Sequence, residues 1–311
     1  MKALLIGGAG FIGSHLADAL LAGGDEVRVL SRRPERFRQP PPGVEYLAGD
    51  AADARLLDQA LQGADVVYHL ASATVPLTAE RDMIGNVEHN LFPTLHLLDA
   101  MVRRQVPRIV FFSSGGTVYG PARSIPIAED HPTDPIGAHG VAKLMIEKHL
   151  RLYAHHYQLE YQILRVANAY GERQNPGGQQ GIVAVAMGRL LRGEPIDIWG
   201  DGSAVRDYVY AGDVAAAAVL AARSPQPQAL YNIGSGVGTA LLDLLRQIET
   251  LSGRPLRLRF GPAKPYDVPI HTLDISHAAA GLGWRPATPL AAGLARAWRW
   301  FAEEWKGAND G

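Results

Sequence analysis

Three glycines near the start of the chain fall at a spacing that suits the handling of a diphosphate. Gly7, Gly10 and Gly13 lie between a short apolar run, Ala3 to Ile6, and a segment from Ser14 to Leu21 that reads as helical. A residue without a Cβ permits both a tight turn and a close backbone approach to a pyrophosphate. The helix that follows offers amide donors and the positive end of its dipole. Strand, glycine turn and helix in this order predict a dinucleotide site, with Phe11 and Ile12 at the helix start among its residues. An acidic residue at the end of the second strand would bond the ribose 2′-hydroxyl of NAD. Here that place holds Ser31-Arg32-Arg33. A hydroxyl followed by guanidinium groups suits a 2′-phosphate, which brings NADP into consideration beside NAD. The same three residues also read as an ordinary solvated basic loop.

The elements that must hold this turn alternate along the N-terminal half. Strand-like runs at Val27–Leu30, Val66–His69, Arg108–Phe112 and Tyr161–Arg165 are separated by helical periodicity at 52–61, 91–102 and 141–157. Such alternation predicts an α/β fold with a Rossmann-type, doubly wound parallel sheet. After Asn168 the character changes. A polar, Gly-rich stretch, 173–180, leads into short strands (196–199, 230–233) mixed with helices (182–191, 214–222, 241–251). We therefore expect a dinucleotide-binding domain over 1–167 and a smaller α+β substrate domain over 168–311, with some later segments returning to the first. Gln39 to Gly43 reads as a stiff surface loop. Trp298, Trp300 and Trp305 read most simply as a helix docking on the smaller domain, with a surface for a partner as the alternative.

Composition narrows the partners. With 311 residues and 47% hydrophobic content the chain can bury a large core. Thirty Lys and Arg against thirty-one Asp and Glu carry no general attraction to nucleic acid or to an anionic membrane. An anionic ligand must instead meet locally placed cations. The absence of cysteine excludes disulfides, thiolate metal sites and thiol nucleophiles and fits a reducing compartment; no metal is expected. The opening apolar run is too short for a membrane span or a secretory core, and the expected location is the cytoplasm.

Gly7-Gly8-Ala9-Gly10-Phe11-Ile12-Gly13 resembles the nucleotide-sugar epimerase/dehydratase branch of the extended short-chain dehydrogenases/reductases. Further blocks resemble that family in the same order: Gly49-Asp50, His69-Leu70-Ala71, Asn90 to Thr94, Ser113 to Gly120, Arg165 to Gly171, Gly200 to Tyr210 and Tyr231 to Gly236. The resemblance spans nearly the whole chain. It implies oxidation and re-reduction of a sugar ring carbon by a nicotinamide, with the sugar held through its nucleoside diphosphate. It would place Asp50 and Ala51 at the adenine, and Leu70, Ala71 and Asn90 along the cofactor groove. Asn168, Tyr208 and Asp267 would touch substrate, and Arg206 would grip the diphosphate. Lys264 stands where relatives often carry a second arginine, a point charge in place of a bidentate fork.

Two positions depart from the family pattern. Its chemistry rests on Tyr-x-x-x-Lys, and the matching residues here are His139 and Lys143. Four-residue spacing keeps both on one helical face. A neutral imidazole can take a hydroxyl proton near neutral pH, and the lysine together with an oxidised nicotinamide would favour its neutral form. Imidazole is nevertheless shorter than phenol, so a bridging water or a shifted sugar would be needed. Gly115 stands where many relatives carry a catalytic Ser or Thr hydroxyl. Ser114 and Thr117 flank it, and Thr117 is the better placed to bond a sugar oxygen if the turn points it inward; either hydroxyl also reads as satisfying backbone groups in the turn.

The leading expectation is an enzyme that oxidises C4 of a nucleotide-linked hexose and returns the hydride to the other face. The alternatives are an NADPH-dependent reductase of a nucleotide-linked 4-keto sugar, which the basic residues after Ser31 favour, and a homologue that binds sugar nucleotide with impaired catalysis. Dehydration fits less well, because Gly115-Gly116-Thr117 stands where dehydratase relatives carry Thr-Asp-Glu. The resemblance also implies a homodimer through the helices around 91–102 and 141–157.

Overall fold

Alternating short apolar runs and amphipathic segments give β1 (Lys2–Ile6), α1 (Phe11–Ala22), β2 (Glu26–Ser31), β3 (Val44–Ala48), α2 (Ala54–Ala60), β4 (Val66–His69), α3 (Pro76–Arg81), α4 (Met83–Arg104), β5 (Arg108–Ser114), α5 (Ala138–Tyr157) and β6 (Glu160–Val166). Then come β7 (Asn168–Tyr170), α6 (Ile182–Arg192), β8 (Ile196–Trp199), β9 (Val205–Tyr210), α7 (Ala211–Arg223), β10 (Gln228–Ile233), β11 (Gly238–Ala240), α8 (Leu241–Ser252), β12 (Leu258–Gly261), β13 (Ile270–His271), α9 (Ser276–Leu282) and α10 (Leu290–Trp300). The structure, a computed structural model, describes residues 1–74, 76–178, 180–263 and 268–305.

Seven strands form one parallel sheet in the order β10-β6-β5-β4-β1-β2-β3. Parallel strands need crossovers, and these lay helices on both faces. In β1, Ala3 and Leu5 join the core shared with α1 and α7, while Leu4 and Ile6 join the core shared with α2, α4 and α5. That double burial is why the run reads as continuously apolar rather than alternating. The Rossmann-type α/β expectation holds.

Three features differ from the expectation in detail. Strand β3 has no counterpart in it: Val-Glu-Tyr-Leu-Ala is a half-exposed edge strand of mixed polarity, with neither an apolar run nor clean alternation. Helix α4 begins at Met83, because Asp82 caps it by accepting from the Gly85 amide at 2.8 Å, and its first turn exposes Ile84 instead of burying it. Residues 230–233, read among the short strands of the smaller domain, lie in β10, which closes the edge of the main sheet beside β6.

The smaller unit surrounds a third core, formed chiefly by α6, β8, β9, α8 and α10 and reaching Trp300, Phe301 and Trp305. The tryptophan-rich end therefore docks as expected. Phe37, from the loop after β2, meets Trp300 at 5.5 Å between ring centroids, which joins the two units. Asp207 on β9 is fully buried and accepts from the Ser235 amide and hydroxyl (2.6 Å each), the Gly236 amide (3.1 Å) and the Leu273 amide (3.3 Å). Burial raises its pKa, and these donors oppose the rise by holding the charged form. One carboxylate thus ties together the loop after β10 and the segment after β13, both of which border the C-terminal edge of the sheet.

Candidate active site

Three strand ends converge under the glycine turn. The Gly7 amide donates to Leu30 O at 2.9 Å, and the Leu70 and Ala71 amides both donate to Ile6 O, at 3.0 and 2.9 Å. Gly7 has φ +81, and a Cβ there would lie 2.9 Å from the backbone of Ala71. At Gly13 a Cβ would lie 2.5 Å from Gly8 O, so only glycine lets α1 start this close to the turn. Gly10 is the N-cap of α1, makes no side-chain cap, and no acidic residue follows in the first turn. The helix start at Phe11 and Ile12 is left able to receive an anion. This cradle fits the diphosphate of a dinucleotide.

At the end of β2, Ser31 closes the strand and Arg32 is largely exposed, its Nη1 3.9 Å from Asp50 Oδ2. The other Asp50 oxygen accepts from the Ala52 amide at 3.0 Å, which shapes the turn carrying Ala51. Arg33 is exposed. On the far side, Asn90 spends its amide on the loop after β4. It accepts from the Ala73 amide (2.9 Å) and donates to Thr74 Oγ1 (3.0 Å) and to Asn86 O (2.8 Å). Asn90 therefore shapes this rim of the groove. Behind it, Thr94 donates to Asn90 O, so His69 Nε2 donates to Thr94 Oγ1 at 2.8 Å and its ring carries the proton on Nε2.

Helix α5 carries the paired residues. Its N-cap, Gly137, has no side chain, and Glu80 from α3 supplies the cap by accepting from the Ala138 amide at 2.6 Å. Asn86 donates to Ala138 O at 2.9 Å. His139, held just after these anchors, is buried to 9% exposure, and Lys143 one turn on to 8%. The ammonium of Lys143 donates to Phe112 O at 2.9 Å and sits 4.9 Å from the centre of the Phe111 ring. Burial lowers the lysine to about 8, with Glu147 opposing the shift. Burial, and next the lysine charge, lower His139 to about 3, so its ring is neutral throughout the physiological range.

Glu147, a further turn along α5, accepts from Ser113 Oγ at 2.5 Å and from Arg165 Nε and Nη2 at 3.1 and 2.7 Å. Arg165 in turn lies 4.6 Å from the Tyr119 ring, whose hydroxyl donates to Asn232 Oδ1 at 2.6 Å and is raised by burial to about 12. Tyr170 donates to Leu290 O at 3.3 Å. Both phenols are committed elsewhere, and neither substitutes for the residue that His139 replaces. The Glu147 network could not be read from spacing alone, because it joins β5, α5 and β6 across the core.

The turn after β5 packs directly against α5 at Gly140, next to His139. A Cβ on Gly140 would lie 2.4 Å from Thr117 O, so the glycine beside His139 is what lets the turn approach α5. Thr117 Oγ1 is buried and has no hydrogen-bond partner among the described residues. Ser114, half-buried, ends β5. Gly115 is more than a missing hydroxyl: a Cβ there would lie 2.7 Å from Leu273 Cδ1 and 2.9 Å from Arg165 O. Leu273 has taken the space, a link between residues far apart in sequence that only the fold reveals. Gly115→Ser should therefore cost about 1 to 3 kcal/mol of stability. Urea unfolding checks this, and an unaltered midpoint for Gly115→Ser contradicts it.

On the smaller unit, Asn168 opens β7, is paired in register with Tyr208 of β9, and donates to Asp207 O at 3.1 Å. Tyr208 is buried, and Arg206 donates to Val205 O at 2.8 Å. Lys264 and Asp267 lie outside the described residues.

Burial holds His69 and His139 down to about 3 and His271 to about 4. Unfolded, the same rings take protons below about pH 6.5, while the folded ones do not until near pH 3 to 4, so stability falls as the pH drops through that interval. At pH 5 each ring should cost about 2 kcal/mol relative to pH 7. Denaturant midpoints at the two pH values test this, and equal midpoints would contradict it.

A glycine cradle beside a buried imidazole and ammonium at the C-terminal edge of one parallel sheet defines a nucleotide-dependent α/β enzyme. The chain belongs to the NAD-dependent epimerase/dehydratase family, whose pattern it matches over residues 3–234. It is 34% identical over 308 residues to the UDP-glucose 4-epimerase of Mycolicibacterium smegmatis, covering 97% of this chain and 98% of the relative. It is similar in structure to the UDP-glucose 4-epimerase of Thermotoga maritima, solved with UDP-glucose (TM-score 0.93, 33% identity, 97% of this chain and 99% of the other). It is likewise similar to that of Thermus thermophilus in complex with NAD (TM-score 0.91, 34% identity, 97% and 99%).

Proposed function

We propose that the chain is a 4-epimerase of nucleotide-linked hexoses that keeps NAD as its cofactor. The observation that carries this is the buried His139–Lys143 pair on α5, the helix whose Gly140 packs against the Thr117 turn, at the same edge of the parallel sheet as the glycine cradle. Named relatives that act on UDP-glucose over nearly the same length support it. Gly7, Gly10 and Gly13, with the α1 start, would hold the diphosphate, and Leu70 and Ala71 would wall the groove beside it. Bound NAD supplies a hydride acceptor for sugar C4 that also returns the hydride.

The chain's own part is proton control and orientation. A ring nitrogen of neutral His139 takes the proton of the 4-hydroxyl as that carbon becomes a carbonyl, and gives it back when the alcohol re-forms on the other face. Lys143, fixed by Phe112 O, keeps a positive charge below about pH 8 and orients the cofactor side of the groove. The unpartnered Thr117 hydroxyl donates to a sugar oxygen, standing in for the group missing at Gly115. Arg206 and Lys264 supply the cations for the nucleoside diphosphate, and Asn168, Tyr208 and Asp267 touch the rest of the substrate.

The test is product analysis. UDP-glucose incubated with the NAD-loaded protein should yield UDP-galactose with no net reduction of the cofactor. Steady consumption of NADPH with a 4-keto sugar nucleotide would instead support the reductase reading, for which Ser31, Arg32 and Arg33 speak; Asp50 beside Arg32 weighs against it.

We further propose a cytoplasmic homodimer. α4 exposes Ile84 and Phe92, and α5 exposes Val141 and Leu152, apolar side chains that a second copy would cover. Among the described residues no helix is long and apolar enough to cross a membrane. Light scattering should give twice the chain mass, and the pair Phe92→Glu and Leu152→Glu should give the monomer; a monomeric unmodified protein would contradict this.

A further inference from the structure

A cavity of about 180 Å³ lies against the flank of the glycine turn. Ala9, Gly10, Phe11 and Ser14 form one wall, the loop carrying Glu35 to Phe37 a second, and Arg173 with Asn175 a third. Between Gly7 and Gly13 the chain carries no cation. Glu35 is engaged with other groups, since Arg38 and the Tyr46 hydroxyl both donate to it. Arg173 reaches this wall from the segment that leads into the smaller unit.

Three observations set Arg173 apart from a surface arginine. Its backbone has φ +64, a left-handed conformation that costs a non-glycine residue about 1 kcal/mol and persists only where the surroundings impose it. Those surroundings are visible. His15 Nε2 lies 3.0 Å from Glu172 O, the Tyr210 hydroxyl donates to Glu172 Oε2 at 2.8 Å, and Arg173 Nη2 lies 2.9 Å from Asp18 Oδ2 on α1. The side chain is 16% exposed, yet its Nε is buried and has no partner among the described residues. An unpaired buried donor is rare and costs about 1 to 3 kcal/mol. A charged donor fixed in this way beside the first turn of a helix implies an anion as its partner.

We propose that Arg173 is a cofactor-anchoring residue: its Nε donates to the diphosphate of the dinucleotide seated on the glycine turn, so the smaller unit locks the cofactor in and slows its release. The inference rests on the reading of this chain as NAD-dependent and adds a residue outside the glycine motif. It fits a cycle in which the cofactor ends each turnover as it began and has no need to leave. Asp18 acts as the tether, holding one end of the guanidinium and leaving the other for the ligand.

The experiment measures the rate at which NAD leaves the loaded protein, trapped by an excess of a second NAD-binding enzyme, together with the melting temperature. Arg173→Gln should release NAD about ten- to a hundredfold faster than the unmodified protein. Asp18→Asn, which loosens the tether but keeps the donor, should change the rate less than about threefold, as expected for a lost salt bridge of limited exposure. If Arg173→Gln does not fold, Arg173→Lys keeps the charge without Nε and should still release faster. Unchanged release from the arginine variants, whatever their melting temperature, overturns the proposal, as does equal acceleration in Asp18→Asn. Failure of the unmodified protein to bind NAD at all would overturn the proposed function itself.

Discussion

His139→Ala should lower kcat for 4-epimerisation by roughly a hundred- to ten-thousandfold, the range expected when a positioned proton acceptor is removed. Cofactor content should stay at the level of the unmodified protein, because the ring lies on α5 and not on the glycine turn. This pairing of outcomes separates a catalytic role from a structural one. Burial and the Lys143 charge hold the ring near 3, so it stays in the neutral form, the one that can accept a proton, across the physiological range. His139→Tyr offers the complementary arm. With Lys143 in place to lower a phenol, it should match or exceed the unmodified rate. Turnover by His139→Ala equal to that of the unmodified protein would remove the imidazole from the mechanism.

Gly13→Ala should weaken NAD binding at least about a hundredfold, about 2.7 kcal/mol. The added methyl would lie 2.5 Å from Gly8 O and 2.6 Å from Gly8 Cα, so α1 must move away from the turn and its amides lose their aim at the diphosphate. Gly116→Ala is the control, because a Cβ there meets nothing within 4 Å. Titration of apoprotein with NAD should show a large loss for the first variant and none from crowding at the second. Equal affinities would mean that the turn does not seat the cofactor.

Legibility from sequence followed the range of the interactions involved. The glycine cradle was readable because its demand is local: a positive φ at Gly7 and a close approach at Gly13 permit one residue type. β1, β4 and β5 were readable because burial on both faces leaves an uninterrupted apolar run. β3 was not, since an edge strand with Glu45 pointing to solvent carries no such signal. At the site, His139 and Lys143 were found through their spacing within a family-like block. The reasons they work as they do were hidden: Glu80 caps their helix from α3, Leu273 fills the place beside Gly115, and Glu147 joins Arg165 and Ser113 beneath the lysine. Each is a tertiary contact between segments well separated along the chain. Nothing in the sequence context of Arg173 distinguishes it from a solvated arginine; its buried Nε and left-handed backbone appear only in three dimensions.

The most direct test is to denature the purified protein gently and weigh what it releases. A nicotinamide dinucleotide, NAD, is expected in near one-to-one amount, or its tight uptake when added to protein that has lost it. A protein that releases no nicotinamide dinucleotide and binds neither NAD nor NADP on titration would contradict it, and the proposed sugar chemistry would fall as well.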